Sequence, residues 1–140
     1  MRVLVIDDEP DVLLLCRVNF EFAGHEVLET TDAESAVAMA ASEHPDLIVL
    51  DVMLPSLDGL SILQELGQRA ETKEVPVVLL TAKTQEDDRL KGWRAGAAEY
   101  VTKPFSPISL TRAVEAIQRM TPAQREQHRD EALAELVDRS

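Results

Sequence analysis

Acidic, hydroxyl and amine side chains follow the predicted strands of the chain. Asp7 and Asp8 follow the first short apolar run, Asp51 and Thr81 follow two later ones, and Lys103 follows a weaker strand pattern at 99–102. Carboxylates that converge repel one another unless a cation neutralises them, and Mg²⁺ prefers one or two carboxylates together with water and phosphate oxygens. A lysine and a hydroxyl that face the same point could hold the other oxygens of a phosphoryl group. The set therefore indicates a site for a hard divalent cation and a phosphoryl group.

Each of these residues also has an ordinary structural interpretation. Asp7 and Asp8 could begin a turn and cap the helix entered at Pro10. Taken singly, Asp51 could be a strand-end cap, Thr81 a hydrogen-bonded hydroxyl and Lys103 a solvated charge. What favours a site is the conjunction, since all of them fall at the ends of predicted strands, in the order that such a site requires.

Those runs predict a parallel sheet. Three of them, at residues 3–6, 47–50 and 77–80, are continuous and consist of Val, Ile and Leu, which suits strands covered on both faces. Two weaker strands are expected at 26–30 and 99–102. Helical patterns lie between the strands, so the chain is expected to be an α/β domain with right-handed crossovers. Ligands of such sheets gather outside the carboxyl ends of the strands, where the polar residues lie.

The C-terminal segment differs from the rest. Thr121, Pro122 and Gln124 form the pattern of a helix N-terminus, with a capping box and proline at the first helical position. A polar, marginally stable helix should follow. This helix would have one apolar patch, which consists of Ala132, Leu133, Leu136 and Val137. The patch would dock on a neighbouring chain or on the preceding domain. We therefore divide the chain into a domain over 1–120 and a helical tail or linker start over 121–140.

Composition excludes several classes of protein. The chain has 140 residues, enough for one domain, and a formal net charge of −12, which argues against direct nucleic-acid binding. Cys16 is the only cysteine, so neither an intramolecular disulfide nor a cysteine metal cage can form, and a buried structural thiol is expected. The sequence has no signal segment or membrane-length apolar run, so we expect a cytoplasmic protein without a membrane partner.

The motifs resemble the receiver domains of bacterial two-component response regulators. The resemblance covers residues 2–119 and is carried by VLVIDDEP, LIVLDVMLPSLDG, VVLLTA and GWRAGAAEYVTKPF. It implies a flavodoxin-like, doubly wound, five-stranded parallel sheet of order 2-1-3-4-5 with five helices, here with a C-terminal helical extension. It also implies a chain that accepts a phosphoryl group from a histidine kinase or phosphotransfer protein and then controls a downstream effector protein.

The resemblance assigns roles to the acidic residues. Asp51 would be the phosphoacceptor, and Asp8 would bind Mg²⁺ directly, or Mn²⁺ in its place. Asp7 would act largely through water, and the backbone carbonyl of Met53 would complete the protein's share of the coordination.

The remaining motif residues would bind the phosphoryl group and read it out. Thr81 and Lys103 would bind phosphoryl oxygens, and the Lys103–Pro104 bond resembles the family's cis peptide. Thr81 would move towards the phosphoryl group and leave space into which Tyr100, the switch aromatic, turns. The readout surface would be the last helix–strand–helix face, around Leu90, Tyr100 and Leu110.

Several positions depart from the family pattern. Ala98 and Glu99 precede the switch aromatic where two acidic residues are common, and Trp93 replaces an apolar residue, so it is interpreted as a core or partner contact. Ser109 and Ala113 stand where the DNA-binding subfamily has a Glu and an Arg that pair across a dimer. We therefore expect a monomer or a weak dimer.

The phosphoryl group on Asp51 should be long-lived compared with that of fast chemotaxis-type receivers. Met53 and Lys83 border the approach of water to the phosphorus, and neither can act as a general base while the lysine is charged. The alternative is that both side chains point to solvent and leave the rate unchanged.

Four functional hypotheses remain. The first is a switch without an output domain of its own, and the second is the N-terminal receiver of a longer regulator. The third is a pseudo-receiver that only mediates protein contacts, and four intact residues argue against it: Asp8, Asp51, Thr81 and Lys103. The fourth, an enzyme such as a flavodoxin or an aspartate-based phosphatase, is disfavoured because no phosphate-cradling loop follows the first strand. We expect no enzyme activity beyond self-catalysed phosphoryl transfer and autodephosphorylation.

Overall fold

The computed structural model describes residues 1–52, 59–82 and 86–139. Five strands alternate with helices, and a sixth helix follows. The strands are β1 (Arg2–Ile6), β2 (Glu26–Thr30), β3 (Leu47–Asp51), β4 (Val77–Ala82) and β5 (Glu99–Lys103). The helices are α1 (Pro10–Phe22), α2 (Ala33–Glu43), α3 (Gly59–Gln68), α4 (Glu86–Arg94), α5 (Pro107–Arg119) and α6 (Pro122–Arg139). No helix in these ranges is long and apolar enough to cross a membrane.

All neighbouring strands are parallel, in the order β2-β1-β3-β4-β5. This confirms the expected doubly wound, flavodoxin-like sheet. Two strands extend further than their apolar runs indicate: Asp51 pairs with Leu80, and Thr81 pairs with Thr102. The polar residues expected just after these strands therefore lie within them, because the backbone ladder continues past the last apolar side chain.

Both faces of the sheet are buried, which accounts for the continuous apolar strands. Val3 and Val5 of β1 face a core formed with α1 and α5, whereas Leu4 and Ile6 face a core formed with α2 and α3. All four are fully buried. Burying such a side chain contributes roughly 1.5–3 kcal/mol, so a one-residue shift in register would exchange the two faces at a large cost.

Local sequence signals set the helix ends. After α1, Gly24 has a φ of +92°, in the left-handed region that favours glycine. The N-cap residue of α2 is Asp32, whose side chain accepts a hydrogen bond from the Glu34 N–H at 2.9 Å. The C-cap residue is His44, with a φ of 50°, and Pro45 directly follows it.

Helix α6 begins with the predicted capping box. The Thr121 N–H donates to Gln124 Oε1 at 2.9 Å, and the Gln124 N–H donates to Thr121 Oγ1 at 3.1 Å. The helix packs against α4. Of its predicted apolar patch, Ala132, Leu133 and Leu136 are half-buried, whereas Val137 is 51% exposed. The tail thus docks on the domain that precedes it, one of the two expected alternatives.

Candidate functional site

Two aspartates meet at the carboxyl ends of the two central strands. Asp7 directly follows β1, and Asp51 is the last residue of the neighbouring β3. The chain connections leave these strands in opposite directions, so a crevice opens between their ends. Both residues are buried, with exposed fractions of 0% and 3%. Burial of two carboxylates side by side is costly unless positive charge accompanies them.

Four acidic side chains converge in this crevice. Asp7, Asp8, Glu9 and Asp51 each offer a carboxylate oxygen, and these oxygens lie within 4.8 Å of one another. Asp8 is half-buried and Glu9 is exposed, so the cluster opens to solvent on one side. The predicted convergence of Asp7, Asp8 and Asp51 is therefore observed.

Lys103, the last residue of β5, supplies positive charge to the cluster. Its Nζ lies 3.2 Å from Asp7 Oδ2, 3.0 Å from Glu9 Oε1 and 3.2 Å from Asp51 Oδ2. Burial acts to lower the pKa of Lys103, but the hydrogen bond to Glu9 and the charges of Asp51 and Asp7 outweigh it, so the pKa is raised. Lys103 therefore stays protonated and partly offsets the acidic charge.

One oxygen of the cluster is poorly satisfied. Asp7 Oδ1 accepts a hydrogen bond from the Glu9 N–H at 2.9 Å. Asp7 Oδ2 is buried and near the Lys103 amine, but it has no hydrogen bond of good geometry among the described residues. Burial raises the pKa of Asp7 from 3.8 to about 6; the Glu9 N–H lowers it, the charge of Asp51 raises it, and Lys103 lowers it. The cluster thus favours additional positive charge.

The donor set fits a hard divalent cation. Carboxylate oxygens are the ligands that Mg²⁺ prefers, and one of them, Asp7 Oδ2, is buried without a hydrogen-bond partner in the described part of the chain. Sulfur takes no part, because Cys16 is buried and its pKa is raised to about 12, chiefly by desolvation. The expected structural thiol is confirmed.

Glu9 is a cluster member that the sequence reasoning missed. It follows Asp7 and Asp8 directly, and it is the N-cap residue of α1, although its side chain makes no cap hydrogen bond. Its carboxylate is turned instead to Lys103. The signal available was the third consecutive acidic residue before Pro10, which is also typical of an ordinary helix start.

Thr81 and Gly59 lie near the carboxyl end of β3, which carries Asp51. Thr81 is buried near the end of β4, beside Thr102 in the strand register. Gly59 begins α3 against the end of β3, and a Cβ there would lie 2.6 Å from the Asp51 carbonyl oxygen and 2.7 Å from Val52 Cα. Glycine at this position therefore lets the helix approach the strand that carries Asp51.

The predicted switch aromatic lies against α4. Tyr100 is half-buried and packs against one core cluster. A Cβ at Gly92 would overlap its hydroxyl, so the glycine makes room for the ring. Trp93 is buried, with its ring centroid 5.6 Å from that of Tyr100. The Lys103–Pro104 peptide bond is cis, as predicted. Met53 and Lys83 lie outside the described residues.

A doubly wound sheet of this order, with an acidic cluster and a lysine at its carboxyl edge, defines a flavodoxin-like α/β domain with a candidate cation site. The sequence model of the response regulator receiver domain matches residues 3–115. The chain therefore belongs to the receiver domains of two-component response regulators.

Two curated relatives show the breadth of the match. The alkaline phosphatase synthesis transcriptional regulatory protein PhoP of Bacillus subtilis is 44% identical over 118 residues, which is 84% of this chain and 48% of that protein. Protein PilH of Pseudomonas aeruginosa is 35% identical over 116 residues, 83% of this chain and 96% of that protein. The chain spans about half the length of the former and nearly all of the latter.

A solved structure extends the likeness into the tail. NtrX from Brucella abortus matches with a TM-score of 0.78 and 29% identity, and the match covers 94% of this chain and 29% of that one. Because the match covers 94% of a chain of 140 residues, it must include part of residues 121–140. Part of the tail therefore has a structural counterpart within a longer chain.

Proposed function

We propose that the chain is a phosphorylation-dependent switch that accepts a phosphoryl group on Asp51 from a histidine kinase or phosphotransfer protein. The observation that carries the proposal is the buried Asp51 carboxylate, paired with Lys103 at 3.2 Å inside an acidic cluster. Membership of the receiver family supports it.

The transfer is an in-line displacement. A carboxylate oxygen of Asp51 attacks phosphorus, the P–N bond of the donor phosphohistidine breaks, and the imidazole nitrogen keeps the electron pair and takes up a proton. Asp51 and the phosphoryl group are both anionic, so their approach must be screened. Lys103 contributes by its charge, and the β3 and β5 strand ends fix its distance from Asp51.

Mg²⁺ is the proposed cofactor, with Mn²⁺ as a substitute. Asp7, Asp8 and Asp51 would hold the ion with the backbone carbonyl of Met53. When bound, it supplies positive charge that screens the attacking and transferred oxygens. The buried Thr81 hydroxyl and the Lys103 ammonium would hold phosphoryl oxygens after transfer.

The output is a protein contact. Phosphorylation adds nearly two negative charges at the sheet edge, and Thr81 and Tyr100 would respond by moving together. We propose effector proteins as the readers, without direct nucleic-acid contact, because the chain carries a formal net charge of −12. No turnover beyond self-catalysed phosphoryl transfer and autodephosphorylation is proposed.

A second candidate is the receiver of a longer regulator. It is favoured by PhoP, of which this chain matches 48%, and by the NtrX match that includes part of the tail. Under this reading, α6 is the start of a linker helix, and the site chemistry is unchanged.

Intact-mass spectrometry tests the proposal. The full chain is incubated with acetyl phosphate, with Mg²⁺ or with excess chelator. A mass increase of one phosphoryl group that requires Mg²⁺ and is lost in Asp51→Asn supports the proposal. An undiminished increase in Asp51→Asn, or one that survives chelation, would overturn it.

A further inference from the structure

Helix α6 covers part of the surface formed by α4 and β5. Its half-buried residues recur with helical spacing and form one face: Arg125, His128, Arg129, Ala132, Leu133 and Leu136. The helix packs against α4, and β5 is the edge strand of the sheet. The readout surface predicted from the sequence includes these same two elements. The tail therefore lies where a partner would bind.

Trp93 connects the tail to the predicted switch aromatic. Its ring contacts those of both Tyr100 and His128, with centroid distances of 5.6 Å and 5.7 Å. The His128 ring meets it edge-on, at an interplanar angle of 71°. Only 4% of Trp93 is exposed. A movement of Tyr100 would therefore change a packing surface that α6 also uses.

Glu99 forms a second connection between Tyr100 and His128. Its Oε1 accepts a hydrogen bond from the Tyr100 backbone N–H at 2.9 Å, and its Oε2 lies 2.8 Å from His128 Nε2. Since a carboxylate only accepts, the imidazole nitrogen donates. One carboxylate thus binds both the backbone of the switch residue and the tail.

We propose that α6 is the resident occupant of the α4–β5 surface, that it blocks protein partners there, and that movement of Tyr100 on phosphorylation releases it. The second half of the inference rests on the proposed function. The docked state is suited to release, because none of the described side chains of α6 is fully buried. An amphipathic helix of a partner protein would then bind in the place of α6.

The inference requires reciprocal coupling. If the phosphorylated state disfavours docking of α6, then undocking α6 must favour the phosphorylated state by the same factor. Variants that weaken docking should therefore bind a phosphoryl mimic more tightly, although the tail does not touch the site.

A matched pair of variants tests docking in the full chain. Ala132 lies on the docked face and Ala134 is exposed, so Ala132→Glu and Ala134→Glu make the same chemical change two residues apart on one helix. Trp93 is the only tryptophan. Ala132→Glu should shift its emission to longer wavelength, increase its quenching by acrylamide and speed amide exchange in α6, whereas Ala134→Glu should match wild type. Equal behaviour of the two variants would overturn the docking.

A phosphoryl mimic tests release. Saturating beryllofluoride with Mg²⁺ should speed α6 amide exchange in wild type towards the Ala132→Glu value, and Ala132→Glu should bind beryllofluoride about fivefold more tightly or better. Unchanged exchange in a protein shown by ¹⁹F NMR to bind the mimic would overturn the coupling and leave the proposed function intact. If wild type does not bind beryllofluoride at all, both the proposed function and the coupling are contradicted. The comparison of Ala132→Glu with Ala134→Glu still decides whether α6 is docked.

Discussion

Nζ of Lys103 lies 3.2 Å from Oδ2 of Asp51, although 52 residues separate them in the sequence. The same amine lies 3.2 Å from Asp7 Oδ2. Two buried carboxylates at the carboxyl ends of adjacent strands thus share one cation from the edge strand β5. The arrangement reduces their repulsion and leaves the cluster with an excess of negative charge.

Lys103→Met should therefore destabilise the metal-free protein. The variant leaves Asp7 and Asp51 buried without their cation, which should lower the free energy of unfolding by about 1–3 kcal/mol. Urea denaturation measures the change, and Mg²⁺ should restore part of it. Lys73→Met, at an exposed lysine, is the control. Equal stability of the two variants would show that Lys103 does not neutralise the cluster.

Asp7→Asn should stabilise the metal-free protein in a pH-dependent manner. The Asp7 pKa of about 6 lies above its ordinary value of 3.8, so the folded state binds the proton more tightly. The tighter proton binding of Asp7 in the folded state adds to the free energy of unfolding. This contribution is complete below pH 3.8 and is lost as the pH rises through about 6. The variant should match wild type near pH 4 and exceed it near pH 7 by on the order of 2 kcal/mol. Denaturation curves across this range that differ by a constant amount would contradict the assignment.

Asp8→Ala should weaken Mg²⁺ binding by roughly tenfold or more, because even outer-shell changes at metal sites have effects of 10–100-fold. Isothermal calorimetry measures the affinity. Asp11→Ala removes an acidic residue from the first turn of α1, at an exposed position, and should leave it unchanged. An unaltered affinity in Asp8→Ala would remove Asp8 from the site.

Gly59→Ala should perturb the site through the backbone. The added Cβ would lie 2.6 Å from the Asp51 carbonyl oxygen, so α3 or the end of β3 must shift, at a cost of about 1–3 kcal/mol. Gly67→Ala is a matched control in the same helix, where nothing lies within 4 Å and alanine should stabilise by up to about 1 kcal/mol. Thermal unfolding compares them; the same sign for both would contradict the close approach.

The phosphoryl group on Asp51 should be long-lived, because neither Met53 nor the charged Lys83 can act as a general base for an attacking water. The decay of the phosphorylated form should quicken in Met53→Asn combined with Lys83→Glu, because both new side chains can accept a hydrogen bond from water. Radiolabel loss over time measures the rate. If the double variant decays no faster, water access past these positions does not limit the lifetime.

The sequence predicts the sheet and most of the site for one physical reason. A strand buried on both faces is apolar along most of its length, so the first polar residue marks the strand end to within two residues, as at Asp7 after Ile6. Helix ends are equally local: the Asp32 side chain caps the first turn of α2, and Pro45 directly follows its C-cap residue His44.

Contacts set by tertiary geometry could not be predicted in this way. Glu9 has the appearance of a helix-start residue, and its pairing with Lys103 depends on how the ends of β1 and β5 approach each other. The contact between His128 and Trp93 depends on the angle at which α6 crosses α4, which no local pattern specifies.

Reductive trapping of the phosphorylated protein tests the central claim most directly. Borohydride converts an aspartyl phosphate into homoserine, and peptide mapping by mass spectrometry locates the converted residue. After incubation with acetyl phosphate and Mg²⁺, we predict homoserine at position 51 and at no other position. Conversion at Asp7, Asp8 or Glu9, or none in a protein that has gained a phosphoryl group, would contradict the assignment of Asp51 as the acceptor.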